Sequence, residues 1–317
     1  MNTKYYLGID LGGTFIKGAI VDRKGKIAVS DKVPTESQKG NDTVTKNIAA
    51  LCNTLIEKAG LTKADIVGIG MGSPGIVDSR AGVVVYSENL NLKNFPIAKE
   101  TERLTGLPVK VANDANAAAL GESIFGSASA YNSSIFITLG TGVGGGIIID
   151  GKLFEGNCGA GAELGHTVIC CGGEPCNCGR RGCLEAYASA TALIRNTKRA
   201  MEAHKDSKLW EIGDVSNVNG KTPFDYYDKD VYAKEVVDDY IEKLGCGIVN
   251  FANEFRPEAI ILGGGVCAQG DNLIKPLRKI MDREIFAQAN SPKVDLRIAS
   301  LENNAGCLGA AALVIEQ

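Results

Sequence analysis

Apolar residues near the start of the chain form short runs that end in glycine, aspartate or lysine. Three such runs share this form: YYLGIDLG (5–12), FIKGAIVD (15–22) and KIAVSDKV (26–33). Short, β-branched-rich runs bounded by turn residues are typical of strands. The pattern therefore predicts a β-meander with tight turns.

The following segment changes from strand-like to helical periodicity. Within residues 42–59, apolar side chains recur at helical spacing, and DIVGIGMG (65–72) then gives an apolar strand that ends in glycines. The next predicted elements are a helix at PIAKETERLTG (96–106), a buried strand at PVKVAND (108–114) and an alanine-rich helix at ANAAALGESIFG (115–126). The order indicates a β-α-β arrangement.

The pattern begins again near Ser133. SSIFITLGTGVGGGIIIDGKLF (133–154) repeats the order of KYYLGIDLGGTFIKGAIVDRKGKI (4–27), which is strand, Gly/Thr turn, strand and Gly-Lys turn. The later predicted elements are a helix over 232–255, the strand AIILGGGV (259–266), a helix from about Asp271 and a last helix over 305–315. The sequence thus predicts an internally duplicated α/β fold.

Two lobes are expected from the length of 317 residues, because single cores rarely grow beyond about 250–300 residues. We place the N-terminal lobe at residues 1–115, completed by the C-terminal helix 305–317, and the C-terminal lobe at residues 116–304. No Pro/Ser-rich or low-complexity linker separates them, so the lobes are expected to be intimately joined.

Composition narrows the class of function. A net charge of -3 provides no basic face for a nucleic-acid backbone or an anionic membrane surface, and we expect neither partner. The N-terminus lacks signal-peptide features, and no apolar run reaches the roughly 18 residues that a membrane helix needs. Ten cysteines diluted over a long chain fit a reducing compartment, so a cytoplasmic enzyme acting on small molecules is expected.

Two glycine-rich turns occupy equivalent positions in the duplicated halves. In the first, Asp10 ends a strand and could hold magnesium, while the turn and the next strand supply a possible phosphate site at Gly12, Gly13, Thr14 and Lys17. The second turn offers Gly140, Thr141 and Gly142. Either turn alone could simply need positive φ, as glycine hairpins do. Their repetition favours a nucleotide bound between the lobes.

Two better-known nucleotide motifs do not apply. A GxGxxG fingerprint requires a strand-to-helix crossing, whereas these glycines separate two strands, and GxxxxGK[ST] does not occur. The glycines of ILGGGV, Gly263, Gly264 and Gly265, lie between a strand and a helix and could pack against a flat adenine ring. Their signal is weak when taken alone.

The cysteines concentrate after ELGH. His166, Cys176, Cys178 and Cys183 form a set in which CxCGxxGC, with Gly179 and Gly182, can reverse tightly around a tetrahedral zinc ion. Adventitious thiols, a disulfide, or an iron–sulfur site with Cys170 or Cys171 replacing the histidine are the alternatives. Four protein ligands close the coordination sphere, so such a zinc ion would be structural.

Taken in order, the motifs DLGGT, NDAN, GTGVGGG, ELGH and CxCGxxGCLE resemble those of the ROK family of sugar kinases and repressors. The resemblance spans nearly the whole chain. It implies the duplicated actin-like, ribonuclease H-like fold and transfer of the ATP γ-phosphate to a hexose hydroxyl in the cleft between the lobes. It also implies that Asp114 is the catalytic base, although Asn113-Asp114-Ala115 by itself is an ordinary helix N-cap.

The same resemblance implies a set of sugar ligands. Asn113, Asp114, Glu163, His166 and Glu185 are expected to contact sugar hydroxyls, with Gly75 and Asn89 as further candidates. His166 would have two roles, with one ring nitrogen on zinc and the other facing the sugar. Glutamates are by default surface acids, but Glu163 and Glu185 flank the zinc ligands.

The expected activity is that of an ATP- and Mg²⁺-dependent hexose 6-kinase, in a family where dimers are common. The motif set is similar to that of bacterial glucokinases, which favours glucose and a place in glycolysis; N-acetylmannosamine, fructose and allose are alternative substrates. A sugar-sensing regulator without catalysis predicts damage to Asp10, the turns or Asp114, and none is seen. Only nine residues precede Asp10, too few for a helix-turn-helix, and a zinc hydrolase would need an open metal position.

Overall fold

The structure is a computed structural model that describes residues 4–315. Its strands are β1 (Tyr5–Leu11), β2 (Phe15–Asp22), β3 (Ile27–Pro34), β4 (Ile66–Ser73), β5 (Ile76–Asp78), β6 (Val83–Ser87), β7 (Leu92–Phe95), β8 (Val109–Asn113), β9 (Ser134–Leu139), β10 (Val143–Ile149), β11 (Lys152–Phe154), β12 (Ala259–Gly263) and β13 (Asp295–Ile298). Its α-helices are α1 (Asn41–Lys58), α2 (Ile97–Thr105), α3 (Asp114–Phe125), α4 (Glu185–Ala188), α5 (Ala190–Ala203), α6 (Thr222–Asp225), α7 (Val231–Phe255), α8 (Asp271–Glu284) and α9 (Ala305–Ala312). Short 3-10 helices connect several of them.

Two five-stranded sheets repeat one strand order. The first runs β3-β2-β1-β4-β8, with β1–β2 and β2–β3 antiparallel and β1–β4 and β4–β8 parallel. The second runs β11-β10-β9-β12-β13, with β10–β11 antiparallel and β12–β13 parallel. Each sheet therefore orders its own strands 3-2-1-4-5, which confirms the predicted meander and the predicted duplication.

Contacts divide the chain into two compact units. Among the described residues, one unit comprises 4–136, 146–162 and 299–315, and the other comprises 137–145 and 163–298. Residues 1–3 and 316–317, which the predicted lobes include, lie outside the described residues. These units are defined by contacts between residues, whereas the lobes are predicted from the sequence. The lobe boundary near Ala115 therefore stays a prediction.

Helix α1 buries the apolar face that its sequence spacing predicts. Val44, Ile48, Leu51 and Leu55 are each no more than 1% exposed and join the core formed with β1, β2 and β4. Each such side chain contributes roughly 1.5–3 kcal/mol on burial. This packing sets the first sheet and the turns at its strand ends.

Helix α9 approaches the first sheet at backbone distance. A methyl group on Gly70 of β4 would lie 1.7 Å from the carbonyl oxygen of Ala310, and one on Gly8 of β1 would lie 1.9 Å from that of Cys307. On the other side of α9, a methyl group on Gly309 would lie 2.0 Å from the carbonyl oxygen of Ala117 in α3. The small residues of AGCLGAAA thus allow α9 to fit between the sheet and α3.

We expect Gly70→Ala to destabilise the protein by at least about 3 kcal/mol, because backbone atoms cannot yield to the added carbon. Gly220→Ala is the control, since its added carbon would meet only the Ala190 Cβ at 3.8 Å, an ordinary contact. Thermal unfolding of both variants measures the difference. Equal midpoints for the two variants would contradict the close packing of α9.

Some elements differ from the sequence-based expectation. A three-stranded sheet, β5-β6-β7, was not predicted, because its strands are only three to five residues long and lack a clear period. Strand β12 ends at Gly263, earlier than predicted, and Gly265–Gln269 forms a 3-10 helix. Gly264 has φ +87, which ends the extended backbone there.

Within residues 4–315, no helix combines the length and the apolar composition needed to cross a lipid bilayer.

Candidate active site and metal centre

The first glycine turn joins β1 to β2. The Gly12 N–H donates to the carbonyl oxygen of Phe15 at 3.0 Å and closes the hairpin. Within residues 4–315, the N–H groups of Gly13 and Thr14 meet no protein acceptor. The sequence predicts Gly12 as part of the phosphate site, but its N–H is already used in the hairpin hydrogen bond. Gly13 and Thr14 therefore offer the donors of this turn.

Asp10 and Lys17 face each other beside this turn. The Lys17 Nζ lies 3.6 Å from the Asp10 Oδ2, and the two side chains are 50% and 25% exposed. The start of α9 packs on the carboxylate, because a methyl group on Gly306 would lie 2.6 Å from the Asp10 Cγ. Gly306 is not among the site residues predicted from the sequence. Its only sequence signal is its place in the small-residue run AGCLGAAA.

Asn113 caps helix α3 and leaves Asp114 as the first helical residue. The Asn113 Oδ1 accepts from the N–H of Ala115 at 2.9 Å and of Asn116 at 3.2 Å, and its Nδ2 donates to the Gly75 carbonyl oxygen at 3.0 Å. The capping role considered for this tripeptide thus belongs to Asn113. One Nδ2 hydrogen of Asn113 remains for a ligand.

Asp114 has an environment suited to proton transfer. Its side chain is open to solvent on one side, but the protein around the carboxyl displaces enough water to raise its pKa above the ordinary value. The N–H of Ala115, 2.8 Å from the Asp114 Oδ1, acts in the opposite direction on the pKa, and the negative charge of Asp10 raises it further. A carboxyl with a raised pKa is a better proton acceptor.

Gly75 and Asn89 lie close to these groups. Gly75 has φ +98, and its carbonyl oxygen positions the Asn113 amide as described above. Asn89 lies beside the first turn, because a methyl group on Gly13 would sit 3.4 Å from the Asn89 carbonyl oxygen. The structure therefore brings together Asp10, the first turn, Asn89, Asn113 and Asp114 within one compact unit.

The second glycine turn joins β9 to β10 and contacts Glu185. The Gly140 N–H donates to the Gly142 carbonyl oxygen at 3.0 Å, and the Val143 N–H donates to the Glu185 Oε2 at 2.9 Å. A methyl group on Gly142 would lie 2.4 Å from the same Oε2. The other carboxylate oxygen of Glu185 lies 3.7 Å from the Cys176 Sγ. Glu185 thus links the second turn to the cysteine loop.

Gly263 ends β12, and Gly264, the next residue, lies against the second turn. A methyl group on Gly264 would sit 2.4 Å from the carbonyl oxygen of Leu139, the residue that precedes Gly140. Gly265 faces open space, and the Gly263 carbonyl oxygen accepts from the Cys267 thiol at 3.1 Å. A stretch of backbone without side chains therefore adjoins the second turn.

His166, Cys176, Cys178 and Cys183 form a cluster whose ligand atoms lie within 4.8 Å of one another. The Cys176 Sγ lies 3.6 Å from the His166 Nδ1, and the Cys178 Sγ lies 3.7 Å from the Cys183 Sγ. Gly179 and Gly182 have φ +87 and +84 and allow the loop to reverse, as expected. A group of these atoms at these distances can hold a metal ion.

Cys170 and Cys171 do not join this cluster in the part of the chain that the structure describes. Cys171 is exposed, and the Cys170 carbonyl oxygen accepts from the Gly173 N–H at 3.0 Å. The nitrogen that points to the cysteines is Nδ1, so the Nε2 of His166 remains for another partner. Glu163 is exposed and directly precedes the 3-10 helix Leu164–His166.

Comparison with known proteins identifies the class. The ROK family profile matches residues 6–317. A glucokinase of Halalkalibacterium halodurans is 40% identical over 320 aligned residues, covering 100% of this chain and 97% of that protein. The chain belongs to the ROK family.

Solved structures agree with this assignment. A ROK family glucokinase from Streptomyces griseus, in complex with glucose and AMPPNP, is 35% identical with a TM-score of 0.81, and the match covers 98% of each chain. A ROK hexokinase from Thermus thermophilus is 34% identical with a TM-score of 0.82, and the match covers 97% of each chain. The predicted duplicated actin-like ATPase fold is confirmed.

Proposed function

We propose that this protein is an ATP-dependent kinase that transfers the γ-phosphate to the 6-hydroxyl of glucose. The observation that carries the proposal is the position of Asp114: a carboxyl with a raised pKa, set at the end of β8 by the Asn113 cap, within the unit that holds the first glycine turn. The sequence relatives and the S. griseus structure with glucose and AMPPNP support the substrate pair.

In this mechanism, Asp114 accepts the proton of the attacking hydroxyl as the new O–P bond forms and the bond from the γ-phosphorus to the bridging oxygen of ATP breaks, which releases ADP. Phosphoryl transfer needs such a base, correct positioning and neutralisation of the phosphate charge. Asn113 holds Asp114 at the first position of α3 and keeps one Nδ2 hydrogen for the sugar. The chemistry therefore depends on a short segment at the junction of β8 and α3.

The phosphates are assigned to the glycine turns. Gly13 and Thr14 in the first turn, and Thr141 and Gly142 in the second, supply backbone donors, while Lys17 adds a positive charge and Gly263–Gly265 adjoin the adenine. A magnesium ion would bind at Asp10, whose carboxylate is an oxygen ligand of the preferred kind, and would neutralise charge on the transferring phosphate. Gly12 contributes by closing the hairpin.

The sugar hydroxyls are assigned to Asn113, Glu163, His166 and Glu185, with Asn89 beside the first turn as a further contact. The Glu185 Oε2 already accepts the Val143 N–H, so this residue can hold a sugar hydroxyl and the second turn at once. Gly75 acts through Asn113. N-acetylmannosamine, fructose and allose remain the alternative substrates of the same machinery.

The metal of the cysteine cluster is proposed to be structural zinc. A zinc tetrahedron with Zn–S about 2.3 Å and Zn–N about 2.05 Å has S–S edges of about 3.8 Å and N–S edges of about 3.6 Å. The observed separations, 3.7 Å between the Cys178 and Cys183 sulfurs and 3.6 Å between the Cys176 Sγ and the His166 Nδ1, match these edges. Zinc bound there would fix the ring of His166 and present its Nε2.

The test of substrate identity is ADP release measured across a hexose panel with Mg²⁺ and ATP. We expect glucose to give the highest kcat/KM, and N-acetylmannosamine, fructose and allose to be poorer substrates, because a sugar with differently placed or substituted hydroxyls leaves polar groups of the site unpaired. A higher kcat/KM for one of those sugars would show that this sugar, and not glucose, is the preferred substrate. No ADP release with any hexose would show that the protein is not a hexose kinase.

The pH dependence of catalysis follows from the raised pKa of Asp114. The carboxylate is the active form, so kcat/KM for glucose falls as the pH decreases through that pKa. Because the pKa is raised, the acid limb should lie above the pH of about 4 that an ordinary aspartate gives. A pH–rate profile measures the limb, and an acid limb near pH 4 or below would contradict the environment described for Asp114.

The homodimer and the cytoplasmic, glycolytic setting remain predictions. Analytical ultracentrifugation measures the first directly.

A further inference from the structure

Each glycine turn accepts two hydrogen bonds from a neighbouring segment of the chain. These bonds have no role in the catalytic mechanism proposed above. At the first turn, the Thr35 Oγ1 donates to the Gly12 carbonyl oxygen at 2.6 Å, and the Thr35 N–H donates to the Thr14 carbonyl oxygen at 2.9 Å. Thr35 follows β3 and is fully buried. One residue therefore binds two carbonyl groups of this turn.

The second turn also has two of its carbonyl oxygens bound by one backbone N–H and one threonine hydroxyl, which come from a different part of the fold. The Ala190 N–H donates to the Gly140 carbonyl oxygen at 2.8 Å, and the Thr191 Oγ1 donates to the Thr141 carbonyl oxygen at 2.7 Å. These residues begin helix α5, whereas Thr35 follows a strand. The duplication of the sheets does not account for the similarity, because the two threonines occupy non-equivalent positions.

The consequence follows from the planar peptide group. A carbonyl of one residue and the N–H of the next lie in one plane and point in opposite directions. Fixing the Gly12 carbonyl therefore aims the Gly13 N–H away from Thr35, and fixing the Gly140 and Thr141 carbonyls aims the Thr141 and Gly142 N–H groups away from α5. Within residues 4–315, none of these three N–H groups has a protein acceptor.

Glycine-rich turns are prone to rotation of whole peptide groups, because glycine accepts both signs of φ. Such a rotation would replace an N–H donor with a carbonyl oxygen, which repels a phosphate oxygen. A threonine hydroxyl that donates to the carbonyl oxygen opposes this rotation. The N–H groups of the turn are therefore already oriented before the nucleotide binds.

We propose that Thr35 and Thr191 are positioning residues for the nucleotide, each fixing the peptide planes of one turn so that Gly13, and Thr141 with Gly142, present their N–H groups to phosphate oxygens. This inference rests on the proposed nucleotide-binding role of the two turns. Neither threonine touches the phosphate; each acts through the backbone of its turn.

The test compares valine, which keeps the shape of threonine but lacks its hydroxyl, with serine, which keeps the hydroxyl. We expect Thr35→Val and Thr191→Val each to weaken AMPPNP binding, measured by calorimetry, by about tenfold, the size of one hydrogen bond. Glucose binding should change by less than about twofold. Thr35→Ser and Thr191→Ser should retain AMPPNP affinity close to that of the wild type.

Matched controls separate positioning from stability. Thr105 and Thr197 are buried and donate through Oγ1 to the carbonyl oxygens of Thr101 and Leu193, each at 2.8 Å, away from both turns. Thr105→Val and Thr197→Val should lower the unfolding midpoint without changing AMPPNP affinity. If Thr35→Val fails to fold, Thr191→Val, on an exposed position of α5, still tests the inference.

Two failures are distinguishable. An active wild-type kinase whose Thr35→Val and Thr191→Val variants bind AMPPNP as tightly as the wild type would overturn the positioning role alone. Equal loss in the serine variants would also overturn it, because the hydroxyl would then not be the cause. A wild-type protein that neither binds AMPPNP nor phosphorylates any hexose would overturn the proposed function itself.

Discussion

Asp114→Asn is expected to lower kcat by about 10²- to 10⁴-fold, the usual contribution of a general base. The substitution removes the proton acceptor but keeps the Oδ1 that accepts the Ala115 N–H, so helix α3 should still begin at this residue. Glucose affinity, measured by calorimetry, should change little. The kinetic measurement is ADP release at saturating glucose and ATP.

Asp42→Asn is the matched control, because Asp42 is also an acidic residue in the first turn of a helix but is exposed and far along the chain from the assigned groups. Its kcat should equal that of the wild type. A normal kcat in Asp114→Asn would remove Asp114 from the role of base, and lost glucose binding would instead place the residue among the sugar contacts alone.

Cys178→Ser is expected to lose the metal and weaken glucose binding. Elemental analysis should show about one zinc ion per wild-type chain and almost none in the variant, because, among residues 4–315, the cluster consists of these four ligands alone. Glucose KM should increase at least about tenfold, since the His166 ring loses its anchor. AMPPNP affinity should change less than glucose affinity, because the donors of both turns lie outside the cysteine loop.

Cys171→Ser provides the control for that experiment. Both cysteines are exposed and lie in the same loop, but only Cys178 belongs to the cluster. The Cys171→Ser protein should therefore retain both zinc and glucose affinity. Zinc retained by Cys178→Ser, or lost by Cys171→Ser, would show that the ligand assignment is wrong.

Periodic features of the sequence predicted most of the fold. The spacing of Val44, Ile48, Leu51 and Leu55 located α1 to within one residue at each end, and the repeated Gly/Thr turns predicted the duplication that the two sheets show. Helical spacing and a Gly/Thr turn between two strands can each be recognised within a short stretch of consecutive residues. The short sheet β5-β6-β7 has no comparable period, and its pairing depends on contacts that the sequence does not display.

The candidate site was predictable in its residue types and less so in its contacts. The order of DLGGT, NDAN and CxCGxxGCLE pointed to the groups that the structure brings together in each unit. The sequence did not reveal that the Asn113 amide donates to the Gly75 carbonyl oxygen, or that Thr35 and Thr191 donate to the carbonyl oxygens of the two turns. These are tertiary hydrogen bonds, and their partners are up to 50 residues apart in the chain.

The most direct measurement of the central claim is identification of the product by ³¹P NMR after incubation with glucose, ATP and Mg²⁺. We expect glucose 6-phosphate and ADP in equal amounts from the wild type, and neither from Asp114→Asn on the same timescale. Inorganic phosphate in place of the sugar phosphate, or a phosphate on another hydroxyl of glucose, would contradict that claim.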